Sequence, residues 1–231
     1  MDNNYDIANL NDKYTLIQSK SGFRFSTDAV VLSDFVGDAH GKKVLDIGTG
    51  NGILPVILFM KDKIDNITAI DIQAESISLA RDNMVANNIA DRVEVIHGDV
   101  RECKLGNTFD VIVSNPPYMT LDGKLTNDEM SKTIARHEVM LSLDEFARHS
   151  KRLLKSIGKL TFVHRAYRTQ EILDTLTKYE LNVSRMKFVH YDNDSDASLV
   201  LIEALKGVKR ELHVETPIII SGSKYIKNTD N

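Results

Sequence analysis

The tetrapeptide Asn115–Tyr118 (NPPY) carries residues that could activate an amino group attached to an aromatic ring. The lone pair of an adenine amino group is delocalised into its ring, so this nitrogen is a poor nucleophile. The side-chain oxygen of Asn115 and the main-chain carbonyl of Pro116 can accept its two hydrogens and favour a pyramidal nitrogen, and Pro116 with Pro117 holds them rigidly. Tyr118 offers a face on which a planar group can stack. The tetrapeptide therefore predicts group transfer to a planar amino nitrogen.

A second motif, Val44–Gly52 (VLDIGTGNG), is typical of a strand that ends in a ligand-binding turn. Glycine allows unusual backbone angles and lets the main chain approach a ligand, and glycines stand at Gly48, Gly50 and Gly52. NAD enzymes also use a glycine-rich turn. The spacing here is G-x-G-x-G rather than G-x-G-x-x-G, however, and Asp46 precedes the first glycine.

Two further acids follow the next predicted strands. Asp71 ends the second strand, about twenty residues beyond the glycines, where a carboxylate can accept both hydroxyls of a ribose. Asp99 follows the third strand, where it can accept from an adenine amino group. Because Asp46, Asp71 and Asp99 all lie at the carboxyl ends of successive strands, they predict a site for an adenosine-containing ligand.

Alternating strand and helix patterns position these residues. Strands are predicted at 42–47, 67–72, 93–97, 109–113, 159–164, 182–191 and 198–205, and helices at 52–60, 74–87, 143–156 and 166–179. Strands separated by helices pair in parallel, with helices on both sheet faces, whereas a final pair joined by a short turn is antiparallel. We therefore expect a Rossmann-like α/β fold with a seven-stranded, mostly parallel sheet and one antiparallel strand. We interpret 119–137 as a loop and expect Pro217–Ile220 to pack on the domain.

Composition narrows the classes of protein. The length of 231 residues fits one domain, and Cys103, the only cysteine, excludes an internal disulfide. The polar start and the absence of a long apolar run predict a cytoplasmic protein without a membrane segment. The seven histidines show no metal-ligand spacing, so no metal is expected. We expect a monomer.

Charge is unevenly distributed. The net charge of −4 argues against indiscriminate binding to nucleic acid. Residues 148–187, however, contain ten Lys or Arg and three acids, so this segment carries +7 and the remainder −11. The segment is either a local patch for an RNA backbone or a solvated outer face of helices.

The motifs together resemble known families. The glycine turn followed by NPPY resembles the amino-group methyltransferases of the Rossmann-like superfamily, which act on adenine, guanine or glutamine nitrogens. Gly22–Leu32 (GFRFSTDAVVL), Arg136–Glu138 and the stretch from Leu153 to Arg165 are similar to the bacterial tRNA adenine-N6 methyltransferases that act beside the anticodon of a valine tRNA. This resemblance spans nearly the whole chain.

The resemblance implies S-adenosylmethionine as the cofactor, tRNA as the partner, and direct transfer of a methyl group to an adenine amino nitrogen. It implies that the cofactor-binding residues are Phe25, Ser26, Thr27, Asp28, Asp46, Gly48, Gly50, Gly52, Asp71, Ile72, Asp99, Val100 and Asn115. The target base would be held by Asn115, Pro116, Pro117 and Tyr118. Candidate RNA-binding residues are Arg136, His137, Arg165 and Arg168. We expect a single methyltransferase domain over 1–231, with a cofactor-covering segment at 1–41, a core at 42–207 and an extension at 208–231.

Three alternatives remain open at this stage. A glutamine methyltransferase acting on a translation factor shares NPPY, but such enzymes usually carry a separate helical N-terminal domain, for which the roughly forty residues before the first core strand leave little room. A guanine amino methyltransferase of ribosomal RNA often has Phe in place of Tyr118. A non-catalytic nucleotide- or RNA-binding module is the third, and the intact Asn115 and glycine turn argue against it.

Overall fold

An eight-stranded sheet is the centre of the structure, a computed structural model that describes residues 4–20, 27–116 and 141–221. The strands are β1 Tyr5–Asn9, β2 Thr15–Ser19, β3 Val44–Ile47, β4 Ile67–Asp71, β5 Val93–His97, β6 Phe109–Ser114, β7 Leu154–Arg165, β8 Leu181–His190, β9 Ala197–Lys206 and β10 His213–Ile219. The helices are α1 Thr27–Phe35, α2 Ile53–Met60, α3 Ala74–Ala86, α4 Leu143–Leu153 and α5 Thr169–Lys178, with a 3-10 turn at Ala166–Arg168. Strands β1 and β2 form a separate hairpin.

The order of the central sheet is β10-β8-β9-β7-β6-β3-β4-β5. Strands β5, β4, β3, β6 and β7 pair in parallel, and β9 is antiparallel to both β7 and β8. The prediction of a mostly parallel sheet with one reversed strand is therefore confirmed. The sheet has one strand more than the seven predicted, because β10 adds in parallel to the outer edge of β8. The register between β10 and β8 shifts between Glu215 and Ile218. Pro217 lies in this interval and lacks the N–H that a regular strand would use.

Two apolar cores lie on opposite faces of the sheet. Successive strand residues point to opposite faces, so Val111 and Val113 of β6 contribute to one core and Ile112 to the other. Buried side chains of α1 and α2 cover the first face, and those of α4 and α5 cover the second. Among the described residues, no helix is both long and apolar enough to cross a membrane.

The start of β7 differs from the prediction of a helix reaching residue 156. Leu154 already pairs with Phe109, and the ladder then shifts register before Val111 pairs with Lys159. Gly158 permits this approach, because a Cβ there would lie 3.1 Å from the Phe109 carbonyl oxygen. The hairpin β1–β2 and helix α1 had no counterpart among the predicted elements. The predicted loop at 119–137 lies outside the described residues.

Substitution of Phe162 tests how much the core between the sheet and helices α4 and α5 stabilises the fold. The Phe162 ring is fully buried and packs edge-on against Phe146 of α4, with ring centroids 5.3 Å apart. We expect Phe162→Ala to lower the free energy of unfolding by about 3–5 kcal/mol, because it leaves a cavity between sheet and helix. Urea denaturation measures the change. Ile157→Ala on the same strand is the control, since that side chain is 78% exposed and its loss should change stability by no more than about 0.5 kcal/mol. Equal losses in the two variants would contradict this account.

Candidate active site

The carboxyl ends of three adjacent parallel strands, β3, β4 and β5, line a cleft at one edge of the sheet. Strand β6 lies on the other side of β3. The register of the four strands brings the predicted site residues together: Asp46 pairs with Val113 of β6 and with Ala69 of β4, and Asp71 pairs with His97 of β5. The residues that line the cleft belong to the ends of β3, β4 and β5 and to the start of the chain after the undescribed segment; they are Ile47, Gly48, Ile70, Asp71, Ile72, Gln73, Gly98, Asp99, Val100, Arg101 and Leu141.

The glycine turn after β3 leaves space in front of its main chain. Gly48 and Gly50 have φ values of 73° and 56°, and a Cβ at either position would meet no atom within 4 Å. The turn can therefore present its backbone to a ligand in a way that larger residues would obstruct. Gly52 has a different role. Its φ is 81°, and a Cβ there would lie 2.6 Å from the terminal methyl of Met84, so glycine lets α3 pack against the turn.

Asp71 is oriented by two main-chain donors. Its Oδ2 accepts a hydrogen bond from the Gly50 amide at 2.8 Å, and its Oδ1 accepts from the Gln73 amide at 2.9 Å. An ionised carboxylate has about four lone-pair positions, so both oxygens keep capacity for a further donor. This arrangement fits the prediction of a carboxylate that receives two ribose hydroxyls.

Asp99 is held by Arg101, which the sequence interpretation did not identify. The guanidinium donates to Asp99 Oδ2 through Nε at 2.7 Å, and the Arg101 amide donates to Oδ1 at 2.8 Å. Burial acts to raise the pKa of Asp99, but the hydrogen bonds and charge of Arg101 outweigh it and keep the pKa below its usual value. Arg101 also lies 3.6 Å from Glu145 of α4. The spacing of an acid and an arginine two residues apart at a strand end was the available signal.

Asp46 is enclosed beneath the glycine turn. It is 1% exposed, and neither carboxylate oxygen has a hydrogen-bond partner among the described residues. Burial, with repulsion from Asp71, raises its pKa to about 7. The Thr49 hydroxyl, which is also buried, acts in the opposite direction and lowers this pKa. Orphaned polar atoms at this depth indicate a site that a polar ligand completes.

Asn115 and Pro116 follow β6 directly and are partly buried. The end of β6 is tied to β3, because the Ser114 hydroxyl donates to the Ile47 carbonyl at 2.7 Å. Asn115 is thereby placed next to the strand that carries the glycine turn. Pro117 and Tyr118 lie outside the described residues.

The remaining predicted site residues are spread over several elements. Phe25, Ser26, Arg136 and His137 lie outside the described residues, whereas Thr27 and Asp28 open α1. Arg165 is exposed at the carboxyl end of β7. The Arg168 guanidinium donates to Glu171 at 2.7 Å and lies 3.3 Å from the ring of His164. Burial lowers the pKa of His164 to about 4, so this ring is neutral at physiological pH.

The basic segment 148–187 does not form one continuous charged surface. Most of its cations are neutralised by carboxylates, several of them from other parts of the chain: Lys151 with Glu180, Lys155 with Asp110, Lys159 and Arg185 with Glu203, Arg168 with Glu171, Lys178 with Asp144, and Lys187 with Glu215. Arg152 donates to the carbonyls of Val100 and Cys103. Within the described ranges, no cluster of three or more His, Cys, Asp or Glu residues could hold a metal ion.

Asp46 should make the ligand-free protein less stable as pH rises. Its folded-state pKa of about 7 lies above that of an unfolded Asp, so its stabilising protonated form is present at low pH and lost as pH rises toward and through about 7. We expect Asp46→Asn to abolish this slope, which amounts to on the order of 4 kcal/mol at most. Urea denaturation of both proteins between about pH 4.5 and about pH 8 measures the difference. Parallel pH profiles would show that Asp46 is not buried in the protonated form.

Comparison with known proteins agrees with this geometry. Residues 26–192 match the family model of the methyltransferase small domain. The tRNA1(Val) (adenine(37)-N6)-methyltransferase of Phocaeicola vulgatus is 32% identical over 221 residues, which cover 94% of this chain and 93% of the relative. The enzyme of the same name from Aliivibrio salmonicida is 26% identical over 207 residues, or 90% of this chain and 87% of the relative.

Solved structures share the fold. A protein from Agrobacterium tumefaciens described as a predicted O-methyltransferase superposes with a TM-score of 0.66 at 21% identity, over 85% of this chain and 90% of that one. A SAM-dependent methyltransferase from Aquifex aeolicus superposes with a TM-score of 0.54 at 21% identity, over 76% and 87% of the two chains. The strand order, the cleft and these matches lead to one assignment: the chain belongs to the methyltransferase small domain family, and within it to the family of the tRNA1(Val) (adenine(37)-N6)-methyltransferases.

Proposed function

We propose that this protein transfers the methyl group of S-adenosylmethionine to the exocyclic N6 of an adenine in tRNA, beside the anticodon of a valine tRNA. The observation that carries the proposal is the position of Asn115 at the end of β6, directly beside the strand whose glycine turn borders the ligand cleft. The names of the relatives in this family support the choice of tRNA and of adenine.

The cleft fits an adenosine-containing cofactor. Asp71 keeps two oxygens available for ribose hydroxyls, and the open space in front of Gly48 and Gly50 can admit the rest of the molecule. Asp99 Oδ2 takes the bonds from the Arg101 guanidinium, while Oδ1 takes only the Arg101 amide and retains capacity for an adenine amino group. Ile72 and Val100 line the same cleft, where their apolar atoms suit the faces of an adenine ring. S-adenosylmethionine would supply an electrophilic methyl group on its sulfonium.

The residues at the end of β6 would prepare the acceptor nitrogen. The Asn115 side-chain oxygen and the Pro116 carbonyl accept the two hydrogens of the adenine amino group, which localises its lone pair for attack. Both acceptors are neutral, so they raise nucleophilicity without needing a general base at this step. Pro117 and Tyr118 keep their proposed roles as a rigid continuation and a stacking face. The family resemblance further implies that Phe25 to Asp28 lie beside the methionine end of the cofactor. An anticodon loop is single-stranded, so turning its base outward costs less than breaking a duplex pair.

The decisive experiment is methyl transfer from labelled S-adenosylmethionine to total tRNA from a strain lacking this gene, followed by nucleoside analysis. We expect labelled N6-methyladenosine. If guanine in ribosomal RNA or glutamine in a protein is labelled instead, the proposed acceptor is wrong. If the protein binds the cofactor but labels no acceptor, it is a non-catalytic binding module.

Two variants separate chemistry from cofactor binding in this assay. Asn115→Ala should lower kcat at least ~100-fold, because it removes a preorganised acceptor, and should leave the affinity for S-adenosylhomocysteine nearly unchanged. Asp71→Ala should instead weaken that affinity about tenfold or more, because it removes hydrogen bonds to a charged group. Calorimetric titration with S-adenosylhomocysteine provides the affinities. Equal losses of affinity in both variants would show that the role of Asn115 is misassigned.

Arg165 and Arg168 should contribute unequally to RNA binding. Arg165 is exposed at the carboxyl end of β7, whereas the Arg168 side chain is only 21% exposed and donates to Glu171. We expect Arg165→Ala to weaken tRNA binding and to lower the slope of log affinity against log salt by about 1, and Arg168→Ala to change it less. Fluorescence titration over a range of salt concentrations measures both. If neither variant changes the slope, this part of the basic segment is a solvated face.

A further inference from the structure

Two buried asparagines of α3 hold the N-terminal hairpin. Asn83 is 0% and Asn87 7% exposed. The Asn83 Oδ1 accepts from the Ile17 amide at 2.7 Å, and its Nδ2 donates to the Ile17 carbonyl at 2.9 Å. Asn87 makes the same pair of hydrogen bonds with Thr15, at 2.9 and 2.8 Å. Each amide therefore pairs with β2 as a neighbouring strand would.

Helix and strand dimensions explain why both contacts form. Residues four apart on a helix are separated by ~6 Å along its axis, and residues two apart on a strand by ~6.8 Å. Asn83 thus matches Ile17 and Asn87 matches Thr15, and the amides and carbonyls of these two strand residues point away from β1. The hairpin is fixed to α3 through its main-chain groups, and Leu10 and Leu16 also pack into the core on the first face of the sheet.

Asn83 differs from Asn87 in its third hydrogen bond. The second hydrogen of the Asn83 amide reaches the Asn51 carbonyl in the glycine turn, at 2.9 Å. The corresponding hydrogen of Asn87 stays within α3 and reaches the Asn83 carbonyl, at 2.7 Å. Asn83 therefore connects the hairpin, α3 and the glycine turn, whereas the bonds of Asn87 described here connect the hairpin to α3.

The peptide that joins Asn51 to Gly52 has two restraints: the Gly52 amide donates to the Thr49 carbonyl at 2.9 Å, and the Asn51 carbonyl accepts from Asn83. Gly50 and Gly52 flank Asn51 with φ values of 56° and 81°, and glycine has more accessible backbone conformations than any other residue. On one side of Asn51, the Gly50 amide donates to Asp71. On the other side, the Asn51 carbonyl accepts from the Asn83 amide. Without the bond from Asn83, the Asn51 peptide would have no contact with a polar side chain of α3 among the described residues.

We infer that Asn83 is a positioning residue for the cofactor site: its amide holds the glycine turn in its ligand-binding form and couples that form to the docked hairpin. The inference rests on the proposed function in one respect, that the turn binds S-adenosylmethionine. Asn83 touches no substrate atom and acts through Asn51.

The test uses the full chain and two matched pairs of variants. Asn83→Ala and Asn87→Ala each remove two bonds to β2, so both should lower the melting temperature by a similar amount. Only Asn83→Ala should weaken the binding of S-adenosylhomocysteine, by about tenfold. It should raise the KM for S-adenosylmethionine by a similar factor and leave kcat nearly unchanged. Titrations are made at a temperature at which all the proteins are folded.

A second pair of variants changes only the donating nitrogen of each amide. Asn83→Asp and Asn87→Asp keep the oxygen that accepts from β2 and replace the donating nitrogen with an oxygen that repels carbonyls. The same contrast in affinity is expected. Equal affinities within both pairs would overturn the positioning role while leaving the proposed function intact. Failure of the wild-type protein to bind S-adenosylhomocysteine would instead overturn the proposed cofactor, and this inference with it.

Discussion

The cleft depends on the hydrogen bond that the Gly50 amide donates to the Asp71 carboxylate. The turn after β3 is rich in glycine and would be mobile on its own, so its form must be imposed by neighbours. The carbonyl of Ile70 accepts from the amides of Gly48 and Thr49, and the Asp71 carboxylate accepts from the next glycine. The end of β4 therefore shapes the turn after β3, and the Asp71 side chain that lines the cleft also organises this glycine turn.

Three acids crowd one sheet edge, and each is accommodated in a different way. Asp46 is buried without a partner among the described residues, so its pKa rises until it can be neutral. Asp71 is stabilised by two main-chain donors, and Asp99 is stabilised by Arg101. Mutual repulsion is thereby limited, while two of the three carboxylates retain oxygens that can accept from a ligand. Arg101 further connects this edge to Glu145, near the N-terminus of α4.

The charge of the chain is organised by tertiary contacts rather than by sequence neighbours. The excess of cations between residues 148 and 187 is largely balanced by acids such as Asp110, Asp144 and Glu215, which come from distant elements. Arg165 remains exposed at the carboxyl end of β7. A folded surface of mixed charge suits selective contact with one RNA better than binding to any polyanion.

The sequence by itself determined the fold class, the parallel pairing of the core strands and the residues at their carboxyl ends. This was possible because apolar periodicity specifies strands and helices locally, and because glycine and proline restrict or free the backbone wherever they occur. Only the tertiary structure decided that His213–Ile219 adds an eighth strand, that Arg101 binds Asp99, and that Asn83 joins the hairpin to the glycine turn. Each of these features is a contact between two separate segments, and the local sequence pattern of a segment does not specify its partner. The Asn83 contact to Ile17 spans 66 residues, and no pattern within either segment specifies its partner.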